Sequence, residues 1–118
     1  MIKHDLSPGN QAWLRQVDDY LEANYARPDL QVTEIADHME LSERQFHRRI
    51  KAMTGVTPLQ YVRDLRLARA KFMLERGAVD TVAQLSLEVG FLNADYFSRL
   101  FRARYGYMPY QYLKDHWL

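Results

Sequence analysis

Basic and amide side chains recur at helical spacing in residues 42–54, on the side opposite an apolar stripe of Phe46, Ile50 and Met53. The side chains that point away from this stripe are Arg44, Gln45, His47, Arg48 and Lys51. Arginine, glutamine and histidine can all reach base edges in a DNA major groove, and arginine is the commonest reader of guanine. Lys51 lies later in the helix and is better placed for a phosphate.

Residues 93–105 repeat this arrangement around a stripe of Phe97, Leu100, Phe101 and Tyr105. On the outward side, Asp95, Arg99 and Arg102 follow one another at i, i+4 and i+7, with Asn93 at the start. Arg99 is a candidate for base contact, and Asp95 can either accept from a cytosine amine or repel phosphates. We expect Arg102 and Arg104 to contact phosphates, whereas Tyr96 can pack between helices or touch the DNA backbone.

These two stretches belong to an internal repeat. Val32-Thr33-Glu34-Ile35-Ala36 aligns with Val82-Ala83-Gln84-Leu85-Ser86 at an offset of 50, and one inserted residue then changes the offset to 51. The alignment continues as far as a shared G-x-x-P-x-Q-Y pattern, which begins at Gly55 and again at Gly106. The chain therefore contains the same unit twice.

Each unit is predicted to be a helix-turn-helix, with a short helix, a brief break and a second helix. The first short helix is predicted over 33–38. Ser42 is a good N-cap with Gln45 at capping-box spacing, and Asn93 can cap the equivalent helix. Gly55 and Gly106 are expected to end the second helices.

A long helix is predicted between the units, from Thr57-Pro58 to about Arg76. The apolar residues expected to form its buried stripe are Leu59, Val62, Leu65, Ala68 and Phe72. We expect the basic side chains of this helix to lie in solvent, with some contact to phosphates; they are Arg63, Arg66, Arg69 and Lys71. A first helix carrying Trp13 and Val17, and a final helix opened by Pro109, bring the total to seven helices with no strand. The predicted fold is all-α: one domain over 1–118, with homeodomain-like helix-turn-helix subdomains at about 11–56 and 79–118 and the linker helix at about 58–76.

Composition excludes several other classes of protein. The chain has no cysteine, which excludes disulfides and thiolate chemistry, and no apolar run of 18 residues that could span a membrane. The histidines His4, His38, His47 and His116 are scattered without metal-ligand spacing, and neither a nucleophile elbow nor a Gly-rich phosphate loop is present. We therefore expect no enzyme activity, cofactor, metal or small-molecule ligand.

The net charge of +1 hides an uneven distribution of charge along the chain. Residues 1–40 hold three basic and eight acidic residues, whereas residues 41–118 hold 13 basic and seven acidic residues.

Residues 41–70 (LSERQFHRRIKAMTGVTPLQYVRDLRLARA) and 89–109 (VGFLNADYFSRLFRARYGYMP) together resemble the AraC/XylS family of bacterial transcription regulators. The resemblance covers about residues 20–116, with a departure at Ser86, where the family usually has alanine. It implies two helix-turn-helix subdomains joined by a long helix, each placing a recognition helix (about 42–54 and 93–105) in adjacent major grooves. The implied base-reading positions are Arg44, His47 and Arg48 in the first helix, and Ala94, Asp95 and Arg99 in the second.

The sequence thus predicts sequence-specific binding to double-stranded DNA at promoter sites by a bacterial transcription regulator. A helical protein-interaction module that has lost DNA binding is the alternative, favoured slightly by the near-neutral total charge. The pattern R-x-I-K-A-M-T-G-V-T-P at 48–58 is similar to the output domains of hybrid two-component sensor proteins. Further sensor, receiver or dimerisation domains are therefore expected in a longer parent protein. The alternative is a small stand-alone regulator of the same family. We expect a cytoplasmic location for this domain, including in a membrane-anchored parent.

Overall fold

A computed structural model describes residues 7–117 of the chain, with side chains as far as Lys114. Seven α-helices and no strand occur over this range, which confirms the all-α prediction. They are α1 (Pro8–Asn24), α2 (Val32–His38), α3 (Glu43–Thr54), α4 (Pro58–Glu75), α5 (Val82–Glu88), α6 (Ala94–Tyr105) and α7 (Pro109–Trp117).

The second helix of each helix-turn-helix pair begins and ends as its capping residues predict. The Ser42 hydroxyl accepts from the Gln45 amide at 3.1 Å, and the Gln45 side chain accepts from the Ser42 amide at 3.0 Å, which completes a capping box. Asn93 Oδ1 accepts from the Tyr96 amide at 2.9 Å at the start of α6. Gly55 and Gly106 end α3 and α6 with φ of 82° and 86°, a left-handed conformation that glycine adopts without steric cost.

The chain divides into two compact units, and the first comprises residues 7–24 and 29–63 of the described range. Its buried side chains come from α1, α2, α3 and the beginning of α4: Trp13, Val17, Leu21, Ile35, Ala36, Phe46, Ile50, Met53 and Val62. Two polar contacts attach α1 within this unit. The Tyr61 hydroxyl donates to Asp18 Oδ1 at 2.7 Å, and the Arg49 guanidinium lies 4.2 Å from the centre of the Trp13 ring.

The second unit comprises residues 25–28 and 64–117 of the described range. Its core is aromatic along α6, where the ring centroids of Phe97 and Phe101 are 5.8 Å apart and both side chains are fully buried. Leu67, Ala70 and Leu74 contribute from α4 and Leu85 and Val89 from the α5 region; Val79, Phe91 and Leu113 complete the cluster. Ser86 is buried here, and its hydroxyl donates to the Phe91 carbonyl at 2.8 Å, so the departure from alanine is satisfied locally.

The predicted buried stripe of α4 is mostly wrong: Val62 is buried as predicted, but Leu65 is only half-buried. Leu59 and Phe72 are 50% and 53% exposed, and Ala68 is exposed as well. Besides Val62, the buried residues of α4 are Pro58, Arg66, Leu67, Ala70 and Leu74. Because the beginning of α4 contributes to the core of the first unit and its remainder to that of the second, no single stripe of constant phase has to run along the whole helix.

Arg66 was expected in solvent, and this prediction is also wrong, because its side chain is only 9% exposed. Its Nε donates to the Tyr25 carbonyl and one terminal nitrogen donates to the Arg27 carbonyl, both at 2.8 Å. The guanidinium also lies 5.6 Å from the centre of the Phe91 ring. Burial lowers the pKa of Arg66 from its ordinary value, but two backbone acceptors compensate the loss of water.

Candidate nucleic-acid interface

Four basic side chains occupy the exposed face of α3. Arg44, His47, Arg48 and Lys51 fall at i, i+3, i+4 and i+7, which places them side by side along the helix, and each is exposed. Together with Glu43 and Ala52 they line one open concave surface. Phe46, Ile50 and Met53 are buried on the opposite side, so core packing fixes the direction in which the basic face points.

The electrostatic character of this face is mainly positive. The side chains of Arg44, His47, Arg48 and Lys51 form no hydrogen bond or ion pair with other residues in the described part of the chain. Two arginines and a lysine outnumber the single carboxylate of Glu43. The guanidinium groups are therefore available for bidentate hydrogen bonds to an external acceptor such as a guanine edge or a phosphate.

Gln45 and Asn93 are exposed but already engaged at the helix starts. The carbonyl oxygen of each side chain accepts a backbone amide, from Ser42 and from Tyr96 respectively. A bidentate contact with adenine needs this oxygen and the amide nitrogen of the same side chain in one plane facing the base. Such a contact would therefore compete with the cap, at a cost of about 1 kcal/mol.

On α6 the structure brings together Asp95, Arg99 and Arg102, which are exposed on one face as the i, i+4, i+7 spacing requires. Ala94 precedes them and is half-buried. The second unit thus presents two arginines and one carboxylate where the first presents Arg44, His47, Arg48 and Lys51.

Tyr96 and Arg104 do not join this face of α6. Tyr96 is half-buried, and its ring meets the Phe91 ring edge-on at a centroid distance of 6.2 Å. Arg104 follows Asp95 by nine residues, about two and a half helical turns, so it lies on the opposite side of α6, where it forms an ion pair of 3.2 Å with Asp64 of α4. Their roles as phosphate contacts stay predictions, and a contact from Arg104 would have to share that side chain with Asp64.

Sequence reasoning missed Leu92, which lies in the turn between α5 and α6 and is 77% exposed. The internal repeat could have identified this residue, because Leu92 is the residue inserted into the second copy. Phe91 aligns with Leu41 and is buried, so it takes the position of the packing residue before the N-cap.

The described residues contain no group of three or more histidine or acidic side chains that could hold a metal ion, and His4 and His116 lie outside the residues whose side chains are described. Within the same range, no helix combines the length and the apolar character needed to cross a membrane.

Paired short and long helices with buried apolar stripes and exposed second-helix faces define a helix-turn-helix protein. A family model described as a helix-turn-helix domain matches residues 23–115. The chain belongs to this family, and specifically to its AraC-type members.

Known relatives include a transcriptional activator, RhaS of Escherichia fergusonii, which is 36% identical over 110 residues covering 91% of this chain and 39% of RhaS. An AraC-type regulator from Chromobacterium violaceum superposes with a TM-score of 0.81 at 28% identity, covering 92% of this chain and 96% of that one. The DNA-binding domain of AdpA, solved with a target DNA, superposes with a TM-score of 0.77 at 27% identity, covering 87% and 91%. The chain thus spans well under half the length of the curated relative RhaS.

Proposed function

We propose that this chain binds double-stranded DNA sequence-specifically, as the DNA-binding part of a bacterial transcription regulator. The observation that carries the proposal is the face of Arg44, His47, Arg48 and Lys51, exposed on the second helix of a helix-turn-helix pair. In such pairs the second helix enters the major groove and its early residues reach base edges. The AdpA domain with its target DNA, at 27% identity, supports the same role here.

In this proposal α3 and α6 each read one box of the site. Arg44, His47 and Arg48 supply base contacts from α3, and Arg99 does so from α6. Lys51 and Arg102 lie later in their helices and contact phosphates, which gives affinity without sequence preference. Because each phosphate contact releases counterions, affinity is expected to fall steeply as salt rises.

Selection from a random duplex library, followed by affinity measurements against salt, tests the proposal. The expected result is a motif of two boxes about one helical turn apart. A motif with a single box would restrict base reading to one helix. Failure to enrich any motif, together with weak heparin retention and no salt-sensitive shift, would contradict DNA binding and favour the protein-interaction alternative.

Substitutions on the two reading helices separate base contacts from phosphate contacts. Arg48→Ala and Arg99→Ala are each expected to cost about 1–3 kcal/mol on the selected site and less on random DNA. Lys51→Ala should weaken binding to all sequences alike and reduce the slope of affinity against salt. Arg15→Ala, an exposed arginine of α1, is the matched control and should change neither. Equal losses on both DNAs for Arg48→Ala would reassign Arg48 to a phosphate.

The cellular setting is part of the same proposal. A protein that reads promoter DNA acts in the bacterial cytoplasm, and the greater length of RhaS is compatible with a parent that carries sensor, receiver or dimerisation domains. Equilibrium sedimentation of the chain with its selected DNA would establish whether one copy suffices for the two boxes, as the presence of two reading helices per chain suggests.

A further inference from the structure

We propose that Leu92 reads the 5-methyl group of a thymine in the second box of the DNA site. This inference rests on the proposed function and adds to it a specificity-determining residue. The leucine side chain has no hydrogen-bond donor or acceptor, so it would recognise a base by apolar contact.

Leu92 is an insertion relative to the first unit. Four residues, 39–42, separate α2 from α3, whereas five residues, 89–93, separate α5 from α6. The turns otherwise correspond closely: the Leu41 amide donates to the Ala36 carbonyl at 3.0 Å, and the Phe91 amide donates to the Ser86 carbonyl at 2.9 Å. The extra residue therefore lies between Phe91 and the N-cap Asn93.

The fold does not use this extra leucine as a core residue. Apolar residues before an N-cap commonly pack against the first turns of the helix. In the second unit that contact is made by Phe91, which is 6% exposed and has its ring centroid 5.3 Å from that of Phe97. Leu92 is 77% exposed, the highest value among the exposed large hydrophobic residues of the described range.

Leu92 lies next to the start of the proposed reading helix α6. It precedes Asn93 directly, and the first residues of a recognition helix are those that approach base edges. Ala94, the first residue of α6, is half-buried and is the other apolar residue at this helix start. The basic residues Arg99 and Arg102 of the same helix would draw the DNA to α6. Among groups exposed in a major groove, the thymine methyl is the one that an apolar side chain recognises.

The test removes only the methyl group. After a selected site is obtained, each thymine of the second box, on either strand, is replaced singly by deoxyuridine, and affinity is measured for the wild-type protein. Burying one methyl-sized group corresponds to about a fourfold change in affinity. We expect one position to show a loss of this size in the wild type and none in Leu92→Ser. Leu59→Ser, an exposed leucine of α4 outside both helix-turn-helix pairs, should retain the loss.

The inference is overturned if deoxyuridine is tolerated at every position, if the preferred second box lacks thymine, or if Leu92→Ser keeps the wild-type methyl dependence. The wild-type measurement stands even where a variant folds poorly. Failure of the proposed function would look different, because no site would be selected and no affinity would be available to compare.

Discussion

Replacing Arg66 with methionine removes the two hydrogen bonds that hold residues 25–28 against α4 while keeping an unbranched side chain as long as the aliphatic stem of the arginine. The segment Tyr25–Pro28 is the first part of the connection from α1 to α2, and its carbonyl groups at Tyr25 and Arg27 each accept from the Arg66 guanidinium at 2.8 Å. Methionine can fill the space of the aliphatic stem beside Phe91, but it leaves both carbonyl oxygens without this donor.

The magnitude follows from the two lost bonds. Hydrogen bonds from a charged donor contribute about 1.5 kcal/mol each at the lower end of their range, which gives about 3 kcal/mol. Removing a guanidinium that is only 9% exposed relieves part of its desolvation cost. We therefore expect Arg66→Met to lower the free energy of unfolding by about 2 kcal/mol, and the Tm by about 8 °C for a chain of this size. Arg66→Lys keeps the charge and can reach one carbonyl, so it should lose about 1 kcal/mol.

Urea unfolding followed by circular dichroism measures this difference, and amide hydrogen exchange of residues 25–27 localises it. Arg48→Met is the matched control: the same substitution at an exposed position of α3 should stay within about 0.5 kcal/mol of the wild type. If Arg66→Met matches that control and exchange at residues 25–27 is unchanged, the guanidinium does not hold this segment and the reasoning fails.

Two further predictions concern backbone conformation and pH. Gly90 and Gly106 have φ of 96° and 86°, but an added Cβ would lie 2.6 Å from the Tyr25 carbonyl oxygen at Gly90 and would meet nothing within 4 Å at Gly106. Gly106→Ala should therefore cost only the conformational strain of about 1–2 kcal/mol, and Gly90→Ala clearly more; equal losses in thermal melts would refute the steric argument. Burial, followed by the hydrogen bond to Asp18, raises the pKa of Tyr61, so the native hydroxyl keeps its proton while the unfolded one ionises near pH 10. Stability should then decline as pH rises above about 10, and Tyr61→Phe should make this decline shallower; an identical alkaline slope in urea titrations of both proteins would contradict the assignment.

Features determined by neighbours along the chain were predictable from the sequence. The caps at Ser42 and Asn93 and the terminations at Gly55 and Gly106 need only the residues within one turn, and the structure contains all four. The stripe of Phe46, Ile50 and Met53 is equally local, because one core faces α3 along its whole length. The repeat made these predictions stronger, since each signal occurs twice.

Features determined by distant parts of the chain were not predictable. The acceptors of Arg66 are the carbonyls of Tyr25 and Arg27, about 40 residues earlier in the chain. The hydrophobic periodicity of a helix does not indicate which distant backbone oxygens will accept hydrogen bonds from its arginine. The exposure of Leu59 and Phe72 has a related cause, because a single apolar stripe packs against one core, whereas α4 contributes to two. Local pattern identifies a helix, but the face that it buries depends on its partners.

The capping interactions also limit how the two units can read DNA. Because the side-chain oxygens of Gln45 and Asn93 are turned toward their own helix starts, adenine recognition by either residue would weaken the helix that presents it. Base contact in the first unit is then expected from Arg44, His47 and Arg48, which are exposed and favour guanine-rich contacts. The second unit offers Arg99, a carboxylate at Asp95 and the inserted Leu92, a set suited to a box containing guanine, cytosine and thymine. If both units read DNA as proposed, duplication of one fold unit would give two reading surfaces of different chemistry, and the selected target site is expected to be asymmetric.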